Sequence, residues 1–145
     1  MCSSDLAAAR AGAKTLLIES QGALGGMGTL GLVPAWCPFS DGERIIHRGI
    51  AETIFNACKA GMPHIRPEAR DWVAIDPELL KRIYDDRVTG AGARVQFNTS
   101  LAAVDDAGGR VAAIIAAGKA GLRAFRAKVI SIARNTRSRP MTGGR

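Results

Sequence analysis

The sequence predicts an α/β fold in which a parallel sheet with covering helices is joined to a small antiparallel β-meander. Three observations predict it. The apolar run at residues 15–18 has no polar interruption, which is typical of a parallel strand buried on both faces. Helix-forming segments precede and follow that run, as an alternation of helices and strands requires. Farther along, two apolar segments flank the sequence DDAGG at residues 105–109, which predicts a hairpin.

The first elements are short. Residues 6–10 are typical of the end of a helix because alanine and arginine favour helices, and Gly12 stands where a left-handed cap is common. The strand at residues 15–18 follows. Residues 20–44 are rich in Gly, Pro and Ser and have no clean period, so we predict a long loop with one short helical turn. Loops of this length usually carry function.

Two amphipathic helices are predicted next. Apolar residues at helical spacing predict the first helix over about residues 47–60, ending at Gly61. The second begins with Asp76 as N-cap and Pro77 at the first helical position. Its predicted buried stripe consists of Leu79, Leu80, Ile83, Tyr84 and Val88.

The remaining segments predict strands. Residues 94–98 alternate in polarity, and residues 101–104 and 111–115 flank a predicted hairpin turn at 105–109. Residues 122–125 and 127–133 are predicted as further strands. The parallel units therefore bracket a meander at about residues 101–126.

The net charge of +7 comes from one end of the chain. Residues 1–122 hold 13 basic and 13 acidic side chains, whereas residues 123–145 hold seven basic ones and no acid. No aromatic residue follows Phe125 to stack on a base, so we predict no nucleic-acid partner. We interpret residues 134–145 as a basic, disordered or aberrant tail.

Cysteine usage and hydropathy suggest a cytoplasmic protein. The three cysteines form no CxxC pair and leave an odd number, which favours neither a disulfide framework nor a zinc site. The longest apolar stretches are too short to span a bilayer, and the sequence shows no secretory signal. We predict no metal and no membrane partner.

Two local patterns point to a nucleotide. A strand that ends in an acid, as residues 15–19 do, places a carboxylate where it can accept hydrogen bonds from ribose hydroxyls. The sequence LGGMGT at residues 24–29 exposes backbone N–H groups to a pyrophosphate, because glycine lets a ligand approach the backbone closely. Each pattern alone is a weak signal.

Together with their neighbours, these patterns resemble a known family. AAARAGAKTLLIE at residues 7–19, followed by GALGGMGT at residues 22–29, is similar to the FAD-dependent oxidoreductases of the glutathione-reductase-like two-dinucleotide-binding superfamily. The resemblance covers most of residues 7–130. It implies a partial Rossmann-like FAD-binding domain over residues 7–133 and FAD as the cofactor.

The resemblance also implies roles for particular residues. Glu19 would hold the adenosine ribose, and the backbone of Leu101 would meet the adenine. The pyrophosphate and flavin side would be lined by Gly25, Gly26, Met27, Gly28 and Thr29. The substrate is a small molecule that the sequence does not identify, and neither catalytic residues nor an oligomeric state are assigned.

Two departures from the family indicate a truncated fragment. The phosphate-binding Gly-x-Gly-x-x-Gly turn that the family has before the segment corresponding to residues 7–19 is missing, together with its strand, and we interpret residues 1–6 as an artefactual leader. After Ala133, Arg134-Asn-Thr136 stands where the family has Thr-Gly-Asp. Without its first strand the sheet has an open edge, so we predict weak FAD binding and an inactive chain.

Other readings of the sequence stay open. The product could be a non-catalytic gene fragment or interaction module that retains a Rossmann remnant, or a protein that binds NAD. The glycine cluster and the meander argue against NAD. Trp36 and Cys37 are predicted to anchor their loop, with contact to a flavin as the alternative. His47 and His64 receive no role.

Overall fold

A computed structural model describes residues 3–131 and the side chains of all of these except Ser3 and Ala107. Residues 1–2, the last two residues of the strand predicted at 127–133, and the predicted tail at 134–145 lie outside the described residues.

Helix α1 spans Ser3–Arg10 and confirms the first predicted helix. It ends as expected, because Gly12 takes a φ of +84° and its N–H donates to the carbonyl of Ala9 at 2.9 Å. Leu6 is fully buried, so residues 3–6 form the first half of α1 and contribute to its packing. The origin of residues 1–6 stays a prediction.

The parallel sheet consists of β1, Leu16–Ile18, and β4, Arg94–Gln96. In the parallel register Leu17 lies opposite Val95, and the N–H of Arg94 donates to the carbonyl of Thr15 at 3.0 Å. Because alternate residues of a parallel strand bond to opposite sides, the backbone groups of Leu16 and Ile18 face away from β4. Within residues 3–131 no other strand pairs with that edge of β1.

Helix α2, Ile50–Ala60, begins three residues later than predicted. The backbone of Gly49 is the reason, because its φ of +69° and ψ of −127° are not helical. Helix α3, Pro77–Gly90, begins as predicted, and the Asp76 carboxylate accepts from the N–H groups of Glu78 and Leu79 at 2.9 and 3.0 Å. Its stripe is confirmed, with Leu80, Tyr84 and Val88 buried.

The loop at residues 20–44 contains the expected helical turn, a 3-10 turn at Gly26–Gly28. It also contains β2, Ala35–Trp36, which pairs antiparallel with β3, Val73–Ala74. Neither of these strands was predicted, since a two-residue strand is too short to show a period.

Strands β5, Ser100–Ala107, β6, Arg110–Gly118, and β7, Gly121–Phe125, form the antiparallel meander. The prediction of a five-residue turn at 105–109 was wrong. The hairpin turns only at Gly108 and Gly109, whose φ values of +65° and +81° suit a two-residue turn, so Asp105 and Asp106 lie in β5.

The strand predicted at 127–133 is also wrong for its described part, since residues 127–131 form no strand. A parallel strand needs a neighbouring edge to accept its backbone hydrogen bonds. Among the described residues the parallel sheet holds only β1 and β4, and neither pairs with this segment.

The core lies between α2, α3 and the loop that carries β2. Phe55 of α2 is fully buried and stacks on Phe39, with ring centroids 4.1 Å apart. The Trp36 ring meets both of these rings edge-on, at 5.7 and 5.9 Å. These contacts confirm Trp36 as an anchor of its loop.

The Asp71 carboxylate holds the same loop in place. It accepts hydrogen bonds from the N–H groups of Phe39 and Ser40 at 2.6 and 2.8 Å, and from the Ser40 hydroxyl. The Ser40 hydroxyl bond, followed by the two backbone bonds, lowers the pKa of Asp71 below its ordinary value of 3.8.

A lowered folded-state pKa makes stability depend on pH in a known direction. The charged form of Asp71 stabilises the fold above pH 3.8, and that contribution is lost as the pH falls through the folded-state pKa. In urea unfolding we therefore expect Asp71→Asn to be less stable than the parent at pH 7, with a gap that narrows below about pH 4. A gap that is the same at pH 7 and pH 3 would contradict this role.

Candidate functional site

The glycine turn after β1 is held by α3. Gly25 has a φ of +103°, and a Cβ placed on it would lie 2.4 Å from Cε2 of Tyr84 and 2.6 Å from Cγ2 of Thr29. A Cβ on Gly28 would lie 3.0 Å from Cδ2 of Leu80. The backbone of this turn therefore rests directly on the buried stripe of α3, and Gly25 has no room for a side chain.

The outer side of the turn is open backbone. Gly26 takes a φ of +51°, and nothing lies within 4 Å of the position of a Cβ there. Its carbonyl accepts from the N–H groups of Thr29, Leu30 and Gly31, whereas the N–H groups of Gly25, Gly26 and Met27 donate to no residue within 3–131. The turn can therefore offer N–H donors to an anion.

Met27 and Thr29 lie on opposite sides of the turn. Met27 is 58% exposed, whereas Thr29 is fully buried. The Thr29 hydroxyl donates to the carbonyl of Leu24 at 2.7 Å and so closes the turn from inside. The Thr29 side chain therefore shapes the turn, while Met27 lies on its outer surface.

Glu19 follows β1 directly, at the carboxyl end of the parallel sheet. Its N–H donates to the carbonyl of Gln96 at 2.9 Å, so the sheet positions the residue. One carboxylate oxygen, Oε1, accepts from the N–H of Gln21 at 2.9 Å and from the Ser20 hydroxyl at 3.1 Å. The other oxygen, Oε2, accepts nothing from the described residues.

The connection from β4 to β5 lies beside Glu19. The N–H of Thr99 donates to the main-chain carbonyl of Glu19 at 3.0 Å, and the N–H of Asn98 donates to that of Gln21 at 3.1 Å. Leu101, two residues farther along, is 46% exposed at the start of β5. The structure thus brings Glu19 and the segment leading to Leu101 to the same end of the sheet, while the glycine turn is held separately on α3.

Sequence reasoning missed Asn98, Thr99 and Tyr84. Asn98 has a φ of +51°, a conformation that asparagine tolerates better than most residues, and this preference was the available signal. Thr99 is buried, and its hydroxyl donates to the carbonyl of Phe97 at 3.0 Å. Tyr84 was predicted only as part of a buried stripe, yet its ring supports Gly25.

Cys58 is buried, in surroundings that disfavour thiol chemistry. Burial raises the pKa of the Cys58 thiol to about 11, which disfavours the reactive thiolate. Among residues 3–131, no three or more His, Cys, Asp and Glu side chains come together in a way that could hold a metal ion. Over the same residues, no helix combines the length and the hydrophobicity needed to cross a bilayer.

A protein-family model described as FAD dependent oxidoreductase matches residues 3–131. The chain belongs to this family. The match confirms the resemblance carried by residues 7–29, and FAD is the cofactor of the FAD-dependent oxidoreductases. No curated protein matches the sequence.

Two solved structures are similar to this chain. The crystal structure of Thermovibrio ammonificans THI4 superposes with a TM-score of 0.53 at 13% identity, covering 86% of this chain and 49% of that one. A ternary complex of aklavinone-11 hydroxylase with FAD and aklavinone has a TM-score of 0.48 at 16% identity, covering 86% of this chain and 29% of the hydroxylase. The chain thus spans about half the length of THI4, and the likeness to it confirms the predicted α/β fold class.

The described residues fit part of an FAD molecule. The Glu19 carboxylate has an oxygen available for ribose hydroxyls, and the turn at Gly25–Met27 offers backbone N–H groups to a phosphate. The glycines of GMGTLG at residues 26–31 have the Gly-x-Gly-x-x-Gly spacing, but they form a 3-10 turn at Gly26–Gly28 and do not open an α-helix. In dinucleotide-binding folds the N-terminus of such a helix supplies the main pyrophosphate contacts. The residues therefore fit the adenosine end of FAD better than its pyrophosphate.

Proposed function

We propose that this chain forms the adenosine-binding part of a flavin oxidoreductase that acts on a small-molecule substrate. The observation that supports this proposal most is the position of Glu19 after β1, with one carboxylate oxygen available and the segment 98–101 alongside. In such an enzyme Glu19 binds the ribose, the backbone near Leu101 meets the adenine, and Gly25, Gly26, Met27, Gly28 and Thr29 form the turn beside the phosphates. Bound FAD supplies the capacity to accept or donate a hydride.

The protein's own contribution in this proposal is positional. Gly25 and Gly28 lie against α3, so the turn is held at a fixed place before a ligand arrives. A preorganised turn binds a ligand more tightly than a mobile one because less conformational entropy is lost on binding.

The 145-residue chain alone is expected to bind FAD weakly. Among residues 3–131, the turn at Gly25–Met27 is the segment assigned to the pyrophosphate, and no strand of these residues pairs with the outer edge of β1 to support the site on that side. Purification should therefore give a chain with well under one flavin per molecule, measured by absorbance at 450 nm after denaturation. A yellow protein with stoichiometric flavin would contradict weak binding while supporting the FAD site.

The role of Glu19 is tested with adenosine monophosphate and its 2′-deoxy analogue, titrated by NMR. A carboxylate that binds the 2′-hydroxyl should make the parent chain prefer adenosine monophosphate by roughly tenfold. Glu19→Gln should reduce that preference to about twofold, since a neutral amide oxygen accepts a weaker hydrogen bond but can still accept from Gln21 and Ser20.

Glu68→Gln is the matched control, because Glu68 is exposed and the substitution removes the same charge at a different place on the surface. The Glu68→Gln variant should prefer adenosine monophosphate over its 2′-deoxy analogue as strongly as the parent chain does. Equal preferences in the parent, Glu19→Gln and Glu68→Gln would contradict the ribose role. A second NMR titration, with FAD and with NAD, tests the alternative of an NAD-binding protein, which should prefer NAD. Binding of neither nucleotide would favour a non-catalytic interaction module.

A cytoplasmic location is part of the proposal. Cys37 and Cys58 are free thiols, which is usual for proteins of a reducing compartment. Neither a nucleic acid nor a membrane is proposed as a partner.

A further inference from the structure

A small cleft lies between the connection from β4 to β5 and the turn from β6 to β7. It is lined by residues 96–99, residues 118–121 and Arg123, and it encloses about 220 Å³. We call it the hairpin cleft. Pockets for drug-sized ligands run from about 300 to 1,000 Å³, so the hairpin cleft suits a small ion or one end of a larger molecule.

The charge of the hairpin cleft is positive. Lys119 and Arg123 are its charged residues, and the lining includes no acid. Neither cation forms an ion pair with another residue of 3–131, and both are exposed. Glu19 contacts this region through its main-chain carbonyl, and its carboxylate is not part of the lining. Since the sequence contains no acid after Asp106, no side chain of the hairpin neutralises the two cations.

The floor of the hairpin cleft is held by hydrogen bonds and close packing. The Gln96 amide donates to the Thr99 hydroxyl at 3.2 Å, and a Cβ on Gly118 would lie 3.0 Å from that oxygen. Lys119 and Ala120 form the two-residue turn between β6 and β7, and Gly121, which pairs with Gly118, follows it with a φ of +93°. Lys119 therefore stands on a tight turn that is packed against the β4–β5 connection.

We propose that the hairpin cleft binds a small polyvalent oxyanion of the phosphate class, with Lys119 and Arg123 as its cationic ligands. Two unpaired cations beside a fixed polar floor favour such an anion, because a guanidinium and an ammonium each form charge-assisted hydrogen bonds with phosphate oxygens. Asn98 and Thr99 belong both to the hairpin cleft and to the segment 98–101 beside Glu19. The two cations belong to the hairpin cleft alone, so the proposal does not rest on the proposed function.

The test is an NMR titration of the full chain with inorganic pyrophosphate. Saturable shifts are expected at the amides of Thr99 and Gly118–Gly121. Lys119→Gln and Arg123→Gln should each weaken binding about tenfold, because each removes one charge-assisted contact. Arg123→Lys, which keeps the charge but not the planar fork, should weaken it less than Arg123→Gln.

Arg110→Gln is the matched control. Arg110 begins β6 at the other end of the hairpin, eight residues from Gly118, or roughly 26 Å along the strand. This variant should bind pyrophosphate within about twofold of the parent, because a charge at that distance is largely screened at physiological salt. Dispersed amide spectra of every variant show that the fold is retained, as expected for exposed side chains.

The outcomes separate the possible sources of the anion. Unchanged pyrophosphate binding, at FAD concentrations high enough to shift the amides around Glu19, supports an independent site. Displacement of pyrophosphate by FAD assigns the anion to the flavin and contradicts the proposal. Chemical shifts that do not saturate would show general attraction of pyrophosphate to a basic chain. A loss of affinity in Arg110→Gln as large as in Lys119→Gln and Arg123→Gln would show the same, and either result would overturn the proposal.

Discussion

Gly25→Ala is expected to lower the free energy of unfolding by about 2–6 kcal/mol. Two costs combine in this variant: a side chain at a φ of +103°, worth about 1–3 kcal/mol, and insertion of a methyl group into packed space, worth about 1–3 kcal/mol. The packed space is tight, since the new Cβ would lie 2.4 Å from the Tyr84 ring and 2.6 Å from Thr29. Urea unfolding followed by circular dichroism measures the loss.

Gly26→Ala is the control for this prediction. It lies next in the sequence, but its φ of +51° is the ordinary left-handed region and its Cβ would meet nothing within 4 Å. We expect a loss of about 1–2 kcal/mol, the backbone cost alone. Equal losses in the two variants would show that α3 does not support the turn as the structure describes.

Phe55→Ala is expected to lower the free energy of unfolding by about 3–5 kcal/mol, the usual range for a buried phenylalanine. Phe55 is fully buried, stacks on Phe39 at 4.1 Å and lies 4.7 Å below the Lys59 ammonium. Its removal leaves a cavity that the rings of Phe39 and Trp36 can fill only by moving. The same urea measurement at pH 7 gives the value.

Leu122→Ala provides the comparison for Phe55→Ala. Leu122 is 70% exposed in β7, so its truncation deletes atoms that already contact solvent and leaves no cavity. We expect a loss below about 1 kcal/mol. A small loss in Phe55→Ala, comparable with that of Leu122→Ala, would contradict a core centred on α2 and the aromatic loop.

The elements with local signals could be predicted from the sequence. Helix α3 is an example, because Asp76 caps it through bonds to residues two and three positions away. Strands β2 and β3 could not be predicted, since Trp36 and Val73 are far apart in sequence and their pairing depends on the whole fold. The strand prediction for residues 127–131 was wrong for the same reason. The apolar character of this segment favours a strand, but no sheet edge among the described residues pairs with it.

The candidate site divides in the same way. The acid after an apolar strand and the glycine cluster are contiguous patterns, so Glu19 and Gly25 could be named from the sequence. The neighbours that hold them could not. Tyr84 supports Gly25 across 59 residues, and Thr99 bonds to Glu19 across 80, and no local pattern encodes such distant contacts.

By itself the sequence determined the fold class, the family and local features such as the glycine that ends α1 and the cap that begins α3. These properties depend on residues close together in the chain, through periodicity, capping and the freedom of glycine. Only the tertiary structure decided that the glycine turn rests on α3, that Asn98 and Thr99 lie beside Glu19, and that Lys119 and Arg123 share a cleft. Such contacts arise from burial and pairing between distant segments, whose geometry follows from how all the elements pack together.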